Sequence, residues 1–278
     1  MELENREYFE AGAPQTARQL DQFVDSLCEI GGENLLGVYL HGSLAMRCFQ
    51  PGRSDLDLLV LLAQPLTPEQ RRACAQMLLQ LSGAPSPIEI SFLHRRQFEP
   101  WRRPTPFDFH FSEAWRTAIA DDLATGAWER WGDTERVDED LAAHFTVALR
   151  RGVVLWQARN APPFPQPPWE DYLHSIIDDL LWARRQLAKA GRENRDDNGV
   201  YLILNACRVW AAVSDRLVLS KAEGATWAAP RLPPQLALIA AAALAAYRGE
   251  ALDDAALSSE AALAAADWIA EQISIVGA

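Results

Sequence analysis

The chain has no excess of positive charge. It carries 26 lysines and arginines against 38 aspartates and glutamates, a formal net charge of −12 over 278 residues. Binding to a nucleic-acid backbone ordinarily relies on a basic face, so that class of partner is not expected. An acidic cleft would instead attract a cationic small molecule; the other reading is that acidity serves solubility alone. Long hydrophobic runs are missing too. No apolar stretch reaches the roughly 20 residues that a membrane-spanning helix needs. The first residues, MELENREYFEAG, are acidic and polar, unlike a signal peptide. Cysteine is scarce: Cys28, Cys48, Cys74 and Cys207 follow no ligand spacing and read as reduced thiols of a cytoplasmic protein, not as disulfides or a zinc site.

What is present is organised around residues 35–62, LLGVYLHGSLAMRCFQPGRSDLDLLVLL. Two apolar runs, Leu35–Leu40 and Leu56–Leu62, have the length and Val/Leu content of buried strands. Between them stand the Gly42-Ser43 turn and a second turn, Pro51-Gly52-Arg53-Ser54. Asp55 opens the second run and Asp57 lies two residues on, so both carboxylates project to one side of a strand. Two such neighbours repel each other and cost desolvation, a cost that a divalent cation removes. Magnesium takes one or two carboxylates together with substrate phosphates. Gly42 lets the backbone approach a phosphate, Ser43 adds a hydroxyl, and a helix starting near Leu44 would aim its amides at the same anion. A phosphate cradle feeding a carboxylate pair is a layout for nucleotidyl transfer.

Along the rest of the chain, Gln15–Ile30 reads as a helix with Pro14 in its first turn. Thr67 caps a second helix that begins at Pro68 and runs to about Leu81. In Ile88-Glu89-Ile90-Ser91-Phe92, alternation puts the isoleucines and Phe92 on one face and Glu89 on the other. Glu89 is either a solvated edge residue or a third carboxylate beside the Asp pair, completing a metal site or taking a proton from an attacking hydroxyl. Residues Trp101–Phe111 read as a long loop or short strand, and helical material begins at Glu113-Ala114-Trp115. A helix is predicted over Asp138–Gln157 through Leu141, Phe145, Ala148, Leu149 and Val153. Five prolines in residues 161–168 then form a stiff linker. Beyond it the predicted helices are Trp169–Ala190, Gly199–Val218, Pro233–Arg248 and Ser259–Val276, rich in alanine as closely packed helices are. The domains expected are 1–160, a linker over 161–168, and 169–278.

Gly42-Ser43 followed by Asp55-x-Asp57 resembles the signature of the DNA polymerase β nucleotidyltransferase superfamily. The linker and helical second half narrow the resemblance to the aminoglycoside (3'')(9) adenylyltransferases, the streptomycin/spectinomycin resistance enzymes. Gln64-Pro65-Leu66-Thr67, Ile88-Glu89-Ile90, Arg208-Val209-Trp210, Trp227–Pro233 and Ala246-Tyr247-Arg248-Gly249 carry it over nearly the whole chain. It implies an α+β fold: an N-terminal nucleotidyltransferase domain with a mixed sheet flanked by helices, plus an all-α helical-bundle C-terminal domain that completes the ATP and antibiotic site.

The resemblance also implies roles. Asp55, Asp57 and Glu89 would hold magnesium, in a two-ion scheme, with Glu89 the catalytic base. Ser43 and Ser54 would contact the triphosphate of ATP beside Gly42. Arg208, Lys221 and Tyr247 would reach the nucleotide from the helical half; each also has a bland reading, as a helix surface charge, a loop residue and a packing ring. The implied reaction transfers AMP from ATP to an antibiotic hydroxyl and releases pyrophosphate. Two departures touch the antibiotic. Ala114 stands where streptomycin-modifying members place a tryptophan, with Trp115 one step on, and Asn198 stands where they use an aspartate, with Asp196 and Asp197 just ahead. Both favour spectinomycin over streptomycin. The expected protein is a monomer without nucleic-acid or membrane partners. The rival readings are adenylylation of another acceptor, protein or metabolite, and a non-catalytic antitoxin-like module.

Overall fold

The computed structural model describes residues 13–190, 198–250 and 257–276. The chain divides into two compact units, Met1–Pro167 and Pro168–Ala278, the division falling at the end of the proline run.

In the first unit, helix α1 (Pro14–Gly31) buries Leu20, Phe23 and Leu27 along one face. It leads through Gly32–Asn34 into strand β1 (Leu35–His41), the four-residue helix α2 (Gly42–Ala45) and strand β2 (Leu56–Leu62). Helix α3 (Pro68–Leu81) starts with a full capping box. Thr67 Oγ1 accepts from Gln70 N, and Gln70 Oε1 accepts from Thr67 N. Strand β3 (Ile88–His94), the short helix α4 (Arg95–Phe98), strands β4 (Thr105–Phe107) and β5 (Phe109–Phe111), helix α5 (Arg116–Thr125), strand β6 (Arg136–Asp138), helix α6 (Leu141–Arg151) and strand β7 (Val153–Gln157) complete this unit.

The main sheet is mixed and runs β5-β3-β2-β1-β7, with only the β2/β3 pair parallel. Strand alternation gives it two faces. Val38, Leu40, Leu56, Leu58, Val60, Ile88, Ile90 and Phe92 pack beneath α1 and α3 with Phe23, Leu27, Cys74 and Leu78. Tyr39, Leu59, Leu61 and Leu93 pack on the opposite face against Leu141, Phe145 and Ala148 of α6. Burying one such large apolar side chain stabilises the fold by about 2–3 kcal/mol. Asp57 and Glu89 share the odd-numbered parity of Leu59, Leu61 and Leu93, so they belong to the α6 face.

One sequence expectation fails here. The helix predicted over Asp138–Gln157 ends at Arg151, and Val153–Gln157 is instead the outer strand beside β1. Val153 happens to continue the helical apolar period, which hides the change. Gly152 breaks the helix: its N–H still bonds Ala148 O, but a Cβ there would lie 2.3 Å from that same oxygen. The Val-Val-Leu-Trp run beyond it suits a strand.

The second unit is helical: α7 (Trp169–Ala190), α8 (Asn198–Asp215), α9 (Lys221–Ala228), α10 (Pro234–Tyr247) and α11 (Ser259–Val276). Its core centres on α8, whose Leu202, Ile203, Leu204, Ala206, Cys207 and Val209 are fully buried. Buried Ala240, Ala243, Ala262, Ala265 and Ala266 line α10 and α11. Helix α9 was not anticipated from sequence. Its signal is the Ser220-x-x-Glu223 capping box: Ser220 Oγ accepts from Glu223 N and Glu223 Oε2 accepts from Ser220 N. The expected extension of α8 to Val218 stops at Asp215, where Arg216 takes a positive φ of 54°.

Candidate active site

The pairing register sets the carboxylates. His41 at the end of β1 lies opposite Asp57 of β2, and Asp57 lies opposite Glu89 of β3. Three side chains therefore stand in a row across three strands, on the face covered by α6. Asp57 and Glu89 are half-buried, and Asp55, just ahead of β2, is exposed.

Gly42 makes the close approach possible. Its φ is +64°, and a Cβ added there would lie 1.8 Å from Asp57 Oδ2. The Gly-Ser turn and the carboxylate are thus packed together with no room for a side chain between them. Ser43 Oγ and His41 Nε2 are buried without hydrogen-bond partners. Ser54 is already engaged, its hydroxyl accepting from Gln50 N at 3.0 Å and closing the second turn.

Two acidic side chains and a buried, unanswered hydroxyl beside a glycine turn fit a hard cation carrying phosphate oxygens. Among the described residues no group of three or more His, Cys, Asp or Glu donors converges to hold a metal unaided. Magnesium does not require one, because it keeps waters and takes substrate oxygens.

The sequence reading missed a histidine cluster over this row. His144, on α6, has its ring centroid 5.0 Å from that of His41. Burial pulls the His144 pKa down, but Glu89, Asp138, Asp57 and Asp140 together outweigh it, and the net shift is upward. His41 moves the other way, well below its ordinary value, through burial and then the nearby His144 charge. His110, on β5, is also depressed, by burial against the opposing pull of Glu89 and Asp138, and its Nδ1 lies 2.9 Å from Ser91 Oγ. His41 was visible as the residue before Gly42. His144 was not, since the sequence does not say which face of the sheet α6 covers.

The segment holding the antibiotic candidate is anchored by Glu113. Its carboxylate accepts from Ser82 Oγ and from Arg116 Nε at 2.6 Å, while Arg116 also donates to Leu79 O and Ser82 O. Burial opposes, but the Arg116 hydrogen bond leads and holds Glu113 below the usual carboxylate range. Trp115 projects from this anchored turn with half its surface exposed, and Ala114 is exposed beside it.

In the second unit, Arg208 lies on α8 with its Nε buried and unpartnered. Lys221 is the first residue of α9, and Tyr247 the last of α10; all three are half-buried. Asn198 is exposed at the start of α8, and Asp196 and Asp197 lie outside the described residues. A further network was not foreseen: Asp179 of α7 accepts from the Tyr201 hydroxyl and from Asn205 Nδ2.

The first unit is thus a mixed sheet with a Gly-Ser turn and a carboxylate row at its end, and the second unit is all-helical. The fold matches a crystal structure of spectinomycin adenyltransferase from Enterococcus faecialis with ATP and spectinomycin, at TM-score 0.72 and 19% identity, covering 92% of this chain and 98% of that one. The family model for the aminoglycoside adenylyltransferase C-terminal domain matches residues 164–272. The chain is 27% identical to an aminoglycoside (3'')(9) adenylyltransferase of Escherichia coli, over 88% of this chain and 89% of the relative. It is also 27% identical to a spectinomycin 9-adenylyltransferase of Staphylococcus aureus, over 81% and 82%. The second unit therefore matches the aminoglycoside adenylyltransferase C-terminal domain family, and most of the chain is similar in sequence to named aminoglycoside and spectinomycin adenylyltransferases.

Proposed function

We propose that this protein transfers AMP from ATP to a hydroxyl of an aminocyclitol or aminoglycoside antibiotic, spectinomycin in preference to streptomycin. The observation that carries the reading is the packing of Gly42 against Asp57, in register with Glu89. It supports a phosphate-binding turn and two carboxylates acting at one point.

Gly42 and Ser43 receive phosphate oxygens, with the open Ser43 hydroxyl as donor. Ser54 supports the turn on the other side. Asp55, Asp57 and Glu89 would hold magnesium, which when bound supplies charge neutralisation and orientation of the polyphosphate. Glu89 accepts the proton of the antibiotic hydroxyl. The hydroxyl oxygen bonds to the α-phosphorus as the bond from phosphorus to the bridging oxygen breaks, and pyrophosphate departs with that electron pair. Arg208 and Lys221 meet the phosphates as fixed cations, and Tyr247 offers a ring and a hydroxyl to the nucleotide. Ala114 in place of a tryptophan, and Asn198 in place of an aspartate, remove contacts that the larger streptomycin would use. The net charge of −12 favours a cationic acceptor.

The test is pyrophosphate release with Mg-ATP and spectinomycin, streptomycin or no acceptor. Release with spectinomycin alone is expected. Release with neither antibiotic, from protein that binds Mg-ATP, would overturn the acceptor assignment. Glu89→Gln should keep ATP binding and lose turnover by about 100-fold or more. Near-normal turnover in that variant would remove Glu89 as the base.

A further inference from the structure

Lysine is rare in this chain. Of its 26 basic residues only Lys189 and Lys221 are lysines, all the others being arginine. Lys221 has a defined seat. As the first residue of α9 its backbone is fixed by the Ser220/Glu223 capping box. Its ammonium lies 4.3 Å from the centre of the Tyr201 ring. That ring is fixed in turn: the Tyr201 hydroxyl donates to Asp179, at 3.0 Å to Oδ1 and 2.9 Å to Oδ2. Asn205, one turn along the same face of α8, donates to Asp179 Oδ2 at 2.9 Å. Asp179 is therefore bound by two neutral donors from the neighbouring helix, and it holds by its hydroxyl the ring over which the ammonium lies.

The same face of α8 continues to Arg208. Gly224 of α9 lies against it so tightly that a Cβ would stand 3.0 Å from the Arg208 Cα and N. Close packing of α9 on α8 thus brings Lys221, Tyr201 and Arg208 together within one unit. Burial, then the Asp179 charge, raises the Tyr201 pKa, so the phenol keeps its proton and remains a donor.

We infer that Asp179 and Tyr201 are positioning residues for Lys221: the carboxylate orients the phenol, and the phenol ring holds the ammonium ready for the polyphosphate of ATP. A free lysine side chain surrenders rotamer entropy when it is fixed. A lysine already seated on a ring loses less of this on binding, so the gain appears in nucleotide affinity. The inference rests on the assignment of Lys221 to the nucleotide, and the experiment separates the two.

Mg-ATP binding is measured by calorimetry on the full chain for Lys221→Ala, Tyr201→Leu, Tyr201→Phe, Asp179→Asn and the double variant Tyr201→Leu/Lys221→Ala. Steady-state KM for ATP and kcat are read alongside. Tyr201→Leu should weaken binding about fivefold, the scale of one cation–π contact, and raise KM for ATP more than it lowers kcat. Tyr201→Phe and Asp179→Asn keep the ring and should lose about twofold. In the Lys221→Ala background the Tyr201→Leu loss should vanish. A merely structural tyrosine would give the same loss in both backgrounds, which would overturn the inference, as would unchanged affinity in Tyr201→Leu. If Lys221→Ala itself leaves ATP affinity unchanged, the assignment of Lys221 fails instead, and the inference falls with it. Tyr201→Phe preserves ring volume, so it reports even if Tyr201→Leu does not fold.

Discussion

Gly42 admits no substitute. Alanine there must place its Cβ where Asp57 Oδ2 lies, at a φ that L-residues avoid. Gly42→Ala should displace the carboxylate and abolish turnover, with a stability loss of about 1–3 kcal/mol. Turnover assay and thermal melting check it; near-normal turnover would show that the close approach is incidental. A second residue-scale test concerns the ion pair of Arg71 and Asp108, 2.7 Å apart with both side chains buried. Asp108 also accepts from Leu66 N at 2.8 Å. Asp108→Ala leaves the guanidinium buried and uncompensated, and should cost about 3–5 kcal/mol in denaturant unfolding. A loss below about 1 kcal/mol would mean that water replaces the carboxylate. The two sites differ in how plainly the sequence shows them. Gly42 follows the end of β1 and Asp57 pairs with that end from the next strand, so the approach of these two was legible. The Arg71–Asp108 and Asp179–Tyr201 pairs join separate elements, and no local pattern announces them.

Elements were legible where one period ruled. Strands β1, β2 and β3, and helices α1, α3, α7 and α11, follow from alternation, caps and apolar spacing. Strand β7 did not, because Val153 fits the helical period of α6 and only Gly152 marks the break. Helix α9 was passed over because it is short and its apolar face is mostly alanine and glycine; the cap at Ser220 is the clearer mark. That cap yields a test at this scale. Ser220→Ala removes the acceptor of Glu223 N and should cost about 1 kcal/mol of stability. Since α9 begins at Lys221, KM for ATP should rise as well. A stability loss with no change in KM would detach the cap from nucleotide binding.

At the scale of the whole molecule, four histidines of the first unit respond to acid in opposite directions. His41, His94 and His110 are all depressed, chiefly by burial, and His144 is raised. A depressed histidine gives its full stability above its unfolded value near 6.5, and loses it as pH falls toward its folded value. A raised one gives its stability below 6.5 and loses it as pH rises through its folded value. Three depressed groups against one raised group predict a melting temperature that falls as pH drops from 7 to about 5.5. Calorimetry over that range decides it, and a flat or rising Tm would show that His144 dominates. His41 and His144 gather at one end of the sheet because β1 ends there and α6 crosses that face. The sequence holds both residues but not the crossing.

Strand β7 also bears on where the gene can be divided. It takes the outer hydrogen bonds of β1, with Gly37, Val38, Tyr39 and Leu40 paired to residues 153–157. A fragment ending at Arg151 would bare that apolar edge, a template on which further copies could add strand to strand. Expressed alone, the first unit should therefore stay in solution when it ends after Gln157 and give inclusion bodies when it ends before Val153.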